Sequence, residues 1–98
     1  MKVVTLLWLL AQMLLAQSGA LIYKTKCMAC HGKSAHVKAL GQGNEIAGWA
    51  KEKLVNVLKE YREGTRDTSG MGPLMNGQIR RFSNKEINAV SDYLSKIK

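Results

Sequence analysis

A chain of 98 residues with 15 Lys and Arg, 7 Asp and Glu, and one proline is a single small basic domain. A core of that size usually needs a staple, a metal or a cofactor, and two cysteines limit the choice. The basic residues are scattered rather than clustered, which argues against nucleic acid and leaves acidic protein surfaces as the natural counter-charge.

Lys2 and the apolar run VVTLLWLLAQMLLA over residues 3–16 open the chain, followed by the small residues Ala16, Ser18, Gly19 and Ala20. A positive start, an apolar stretch and a small-residue cleavage site are the marks of a secretory signal peptide. The run is about 14 residues, short of the roughly 20 that span a bilayer as a helix. Cleavage is expected after Ser18, with Ala16 and Ala20 as the neighbouring alternatives; an uncleaved membrane anchor is the competing reading. Residues 1–18 are therefore read as an address and residues 19–98 as the mature domain. No cysteine stands at the junction, so nothing points to a lipid-anchored mature end.

Residues 20–30, ALIYKTKCMAC, read as a short helix with Leu21, Ile22 and Tyr23 as its apolar content. It runs into Cys27-Met28-Ala29-Cys30-His31, the most informative stretch of the chain. Two thiols three positions apart, followed directly by an imidazole, read as a c-type haem attachment site. On a helix Cys27 and Cys30 share one face less than a turn apart, within reach of two neighbouring vinyl groups on a porphyrin edge. His31, one turn from Cys27, then comes under the ring centre with little further ordering. Three other readings compete. A thioredoxin-like redox pair needs a βαβ context, and no strand-like alternation precedes Cys27. A structural zinc site usually needs four ligands, and only His31 and His36 follow the cysteines as further donors of the usual pattern. A plain disulfide would fit an exported chain.

Residues 32–48 form a Gly- and Lys-containing loop with no clear period, and His36 within it is expected at the surface rather than on iron. From Trp49 to Glu63 the pattern turns helical: Leu54, Leu58 and Tyr61 fall at i, i+4 and i+7, and Gly64 is suited to end the helix. Trp49 and Tyr61 are expected to pack in the core, with a hydrogen bond from one of them to a haem propionate as the minority reading. Residues 64–82, GTRDTSGMGPLMNGQIRRF, resist regular assignment because Gly64, Gly70, Gly72, Gly77 and Pro73 interrupt every period, so a long functional loop is expected. It holds Met71 and Met75. Met28 lies inside the attachment motif on the histidine side, so a thioether ligand on the opposite face of the ring would come from Met71 or Met75. Either is otherwise a gap-filling core methionine. Ser83-Asn84-Lys85-Glu86 is a capping box, with Phe82 placed to staple onto Ile87. Ile87, Val90, Leu94 and Ile97 then recur at helical spacing, which predicts a helix over about Asn84 to Ile97.

These motifs resemble the small bacterial class I cytochromes c, short monohaem proteins, and the likeness runs through nearly all of residues 19–98. CMACHG at 27–32 matches the attachment motif. Ile46-Ala47-Gly48, then Leu54-Val55, Leu58-Lys59, Tyr61-Arg62, Gly64 and Arg66, resembles the central helix and its exit. Met75, Gln78, Phe82-Ser83, Glu86-Ile87 and Tyr93-Leu94 resemble the axial-methionine loop and the final helix. The resemblance implies an all-α fold of three to four short helices wrapped around one covalently attached haem c. It implies thioether links at Cys27 and Cys30 and axial iron ligation by His31 and Met75, with Met71, one step too early, as the runner-up. It implies no catalytic residue: the chain would be a soluble periplasmic electron carrier and a monomer. Its partners would be redox proteins with acidic docking patches, such as a quinol-oxidising complex, a terminal oxidase or a peroxidase, with no nucleic acid and with membranes reached only through partner complexes.

Two departures from that pattern stand out. A proline soon after the attachment motif, whose carbonyl orients the axial histidine, is absent, Pro73 being the sole proline. Another loop carbonyl is therefore expected to orient His31. The spacing from Tyr23 to Cys27 is also one residue longer than usual, so Ile22 is expected to take the usual aromatic position.

Two other functions compete with the carrier: a haem enzyme or gas sensor with a displaceable sixth ligand, and a haem-free thiol oxidoreductase using Cys27 and Cys30. Acid–organic extraction makes the first separation. The pigment is expected to stay with the polypeptide, whose mass exceeds that of the bare chain; a colourless chain of unmodified mass returns the motif to thiol chemistry.

Overall fold

The computed structural model describes residues 18–36 and 45–98, and every regular element among them is helical. The predicted address segment lies outside the described residues except for Ser18, whose side chain caps the first helix by accepting from the Leu21 N–H at 3.1 Å. That helix, α1 (Gly19–Ile22), continues through a π turn (Tyr23–Cys27) into α2 (Met28–His31). After the loop come α3 (Lys51–Glu63), a 3₁₀ turn (Thr68–Gly70), α4 (Gly72–Ile79) and α5 (Asn84–Ser95). The predicted all-α fold holds.

The frame is a contact between the first and last helices, with α3 laid against α5 and α4 against α3. Gly19 sits against the backbone of Ala89 on α5 so closely that an added Cβ would meet the Ala89 carbonyl carbon at 2.7 Å and the Tyr93 Cβ at 2.9 Å. Further along, the Tyr23 ring lies 5.7 Å from that of Tyr93, tilted by 36°. Ile22 and Tyr23 join Leu54, Ile79, Phe82, Ile87, Val90 and Leu94 in one buried cluster.

The two longer helices form where their patterns place them. In α3, Leu54 is buried while Glu52, Lys53 and Glu60 face water. Its start falls at Lys51 rather than Trp49, because Ala50 is extended and offers no side-chain cap. Trp49 is half-buried instead, with the Lys53 ammonium 4.1 Å from its ring centroid. The exit is a Schellman motif: Gly64 at φ 77 lets its N–H reach the Tyr61 carbonyl at 3.1 Å, and Thr65 N–H reaches that of Glu60 at 2.9 Å. The α5 capping box forms in both directions, Glu86 N–H to Ser83 Oγ at 3.1 Å and Ser83 N–H to Glu86 Oε1 at 3.0 Å, and Phe82 and Ile87 are buried in one cluster. This helix ends at Ser95, two residues short of the predicted Ile97.

The long irregular loop expected over residues 64–82 is the main correction. Much of it is helical, as the 3₁₀ turn and α4. Pro73 lies in the first turn of α4, where its missing N–H costs nothing. Gly72 marks a close approach rather than flexibility: a Cβ there would meet the Arg66 carbonyl oxygen at 2.5 Å. Its own N–H is taken by Asp67 Oδ1 at 2.8 Å. The residues that break a pattern in the interior of a helix here build its start.

Gly19→Ala tests the frame. Forcing a methyl between two backbones is expected to cost about 1–3 kcal/mol or more, read as a lower denaturation midpoint of the haem-loaded chain.

Candidate functional site

Cys27, Cys30 and His31 are brought together by one continuous helical run. Cys27 closes the π turn and is half-buried, Cys30 lies exposed on α2, and His31 ends α2 with 8% of its surface accessible. Neither sulfur is in a disulfide. Both ring nitrogens of His31 are buried without a hydrogen-bond partner among the described residues. A buried imidazole normally has a partner, so an unsatisfied one calls for a ligand. Burial also lowers the His31 pKa and favours the neutral ring, the form that offers a lone pair to a metal. Two free thiols beside a buried, unpartnered imidazole fit a covalent haem.

The same burial weighs against thiol chemistry. The Cys27 thiol is pushed up to about 11, first by desolvation and then by Cys30 beside it. Redox-active CxxC pairs work by the opposite shift, a depressed pKa that supplies thiolate at neutral pH.

Between Tyr23 and Cys27 the backbone widens into a π turn. Widening one turn lets the Met28 N–H donate to the Tyr23 carbonyl five residues back, so one more residue fits without moving either end. Tyr23, 1% exposed, therefore stays in the core and stacks on Tyr93. Ile22, expected in the aromatic position, is buried beside Tyr23. The Tyr23 hydroxyl donates to the carbonyl of Gly32, the residue after His31, and so ties the end of α2 back to its beginning.

No carbonyl among the described residues accepts from His31, so the expected orienting group is not found there. Ala35, fully buried at φ 62, instead gathers the loop: its carbonyl accepts from the N–H groups of Ile46 and Ala47, each at 3.1 Å. His36 is exposed, as expected, with Nε2 3.1 Å from the Lys98 backbone oxygen and Nδ1 3.9 Å from Glu45 Oε2. Trp49 and Tyr61 are half-buried against the core.

Met75 and Met71 lie on a separate element. Met75 is in the first turn of α4, its N–H donating at 2.9 Å to the carbonyl of Met71, which precedes the helix. Both are half-buried. Neither is among the described side chains that pack against the core, which weighs against the gap-filling reading.

Comparison with known proteins points to one family. The family model for cytochrome c matches residues 16–98. Cytochrome c-553 of Nitratidesulfovibrio vulgaris is 32% identical over 83 residues, covering 85% of this chain and 79% of that protein. Cytochrome c-553 of Helicobacter pylori is 27% identical over 72 residues, covering 74% and 71%. Cytochrome c4 of Stutzerimonas stutzeri is 32% identical over 74 residues, but this chain covers only 32% of its length.

Tyr23→Phe removes the hydroxyl that satisfies the Gly32 carbonyl. The variant is expected to keep its covalent pigment and lose about 1–2 kcal/mol in chemical denaturation. Tyr23→Ala, which also opens a cavity, is expected to lose roughly 3–5 kcal/mol.

Proposed function

Because the chain belongs to the cytochrome c family, as a small class I haem-based electron carrier with one covalent haem c and its iron, we propose that it works in the periplasm with histidine–methionine ligation. When bound, the haem supplies an iron that takes up and releases single electrons. Cys27 and Cys30 hold the ring edge through thioether links. His31, kept neutral by burial, and Met75 would be the side chains that hold the iron. With His31 and Met75 both committed to the iron, no open position would remain for a substrate, which is why a carrier is favoured over an enzyme. A thioether in place of a second imidazole raises the potential.

The observation that carries the reading is the buried, unpartnered imidazole of His31 directly after two free thiols. Met75 is preferred to Met71 because it lies within α4, on a helical backbone, while Met71 sits at its start. Exposed Lys24, Lys26 and Lys33 flank the attachment segment and give acidic partners a place to dock briefly, in encounters that weaken with salt. A quinol-oxidising complex, a terminal oxidase and a peroxidase are the partner classes with matching chemistry. The periplasmic assignment rests on the apolar, small-residue start of the sequence, with cleavage after Ser18.

Optical spectra test the ligand set. Met75→Ala is expected to lose the long-wavelength absorption of thioether-bound ferric haem, to fall in potential, and to bind carbon monoxide rapidly when reduced. Met71→Ala is expected to match the parent. The reverse pattern would give the iron to Met71, and rapid carbon monoxide binding by the parent itself would favour the enzyme or sensor reading.

A further inference from the structure

Asn76 follows Met75 on α4, and its side-chain amide donates to two carbonyls of the α3 exit, Tyr61 at 2.9 Å and Arg62 at 3.0 Å. The last carbonyls of a helix lack intrahelical partners, and an amide NH₂ has two hydrogens to give, so the match is complete. α4 needs such a tie. It has 8 residues, among them Gly72, Pro73 and Gly77, too short and too poor in helix formers to stand alone. Asp67 holds its first N–H, and Asn76 holds its middle. Only the second of these adjoins Met75.

We propose that Asn76 is the positioning residue for Met75: by locking α4 onto the exit of α3, its amide sets how rarely the thioether leaves the iron. The inference rests on the reading that Met75 is the sixth ligand. An added ligand binds only iron that Met75 has released, so its apparent affinity rises in proportion to that released population. Losing two hydrogen bonds that hold the methionine-bound arrangement should raise the population about tenfold.

Imidazole is titrated into the ferric, haem-loaded full chain, with the thioether absorption and the reduction potential recorded alongside. Asn76→Ala is expected to bind imidazole about tenfold more tightly than the parent. Asn76→Asp, which keeps the shape but turns acceptors toward two carbonyl oxygens, should bind it at least as tightly. Ser83→Ala loses the cap of α5 and serves as the control: less stable to denaturant, unchanged toward imidazole. If both Asn76 variants bind imidazole no more tightly than Ser83→Ala, Asn76 is a structural tie alone and the proposal is overturned. If instead Met75→Ala keeps the thioether absorption, the ligand assignment fails first. Should Asn76→Asp not acquire haem, Asn76→Ser takes its place and is expected between the parent and Asn76→Ala.

Discussion

The fold depends on one unsatisfied interaction, the imidazole of His31 held out of water with no hydrogen-bond partner among the described residues. A buried polar group in that condition is costly unless something binds it. The buried apolar cluster is small, with only α5 giving more than one side chain to it. A domain of this size normally needs help from a cofactor, and a covalent porphyrin answers both needs, filling the interior and giving the histidine an iron. The attachment segment and the core therefore stabilise each other.

Around that centre, the first and last helices set the geometry by contact rather than by propensity. α1 has 4 residues and would not persist alone; it stays because Gly19 lets it press against Ala89 and because Tyr23 stacks on Tyr93. The π turn shows which constraint is stronger. On a regular helix each residue adds about a hundred degrees of rotation, so the Tyr23 ring and the thiols would point in other relative directions. Instead the backbone widens for a single turn, and both ends keep their places.

Much of this was legible from residues alone, and the failures share a cause. The attachment motif, the capping box at Ser83 and the glycine exit at Gly64 are local patterns whose chemistry is complete within a few positions. α4 was not legible because Pro73 and Gly72 are read as breakers when only periodicity is considered. Their meaning depends on neighbours distant in sequence: the Arg66 backbone that excludes a Cβ at Gly72, and the α3 carbonyls that receive Asn76. The π turn was not legible for a similar reason, since counting residues assumes a regular turn. The ligand role proposed for Met75 rests on resemblance, not on spacing, and the described core leaves that side chain outside.

The exit of α3 is where these long-range terms converge. Its carbonyls hold α4 through Asn76, while the Arg62 guanidinium donates to the Phe82 carbonyl at 3.1 Å and to Asn84 Oδ1 at 2.8 Å, at the start of α5. The Arg66 guanidinium, beside the Tyr61 ring, bonds Glu60 at 2.9 Å, bracing the same turn from outside. One helix end thus fixes the approach of the next two helices. For a carrier this is the useful place for rigidity: an electron moves with least reorganisation when the side chains above and below the iron cannot shift between its two charge states. Hydrogen bonds from Asn76 and Arg62, short and directional, resist such shifts better than apolar contact, which is non-directional. The half of the molecule farthest in sequence from His31, which carries Leu54, Ile79, Phe82, Ile87, Val90 and Leu94 of the buried cluster, is thus tied at backbone carbonyls as well as by apolar contact.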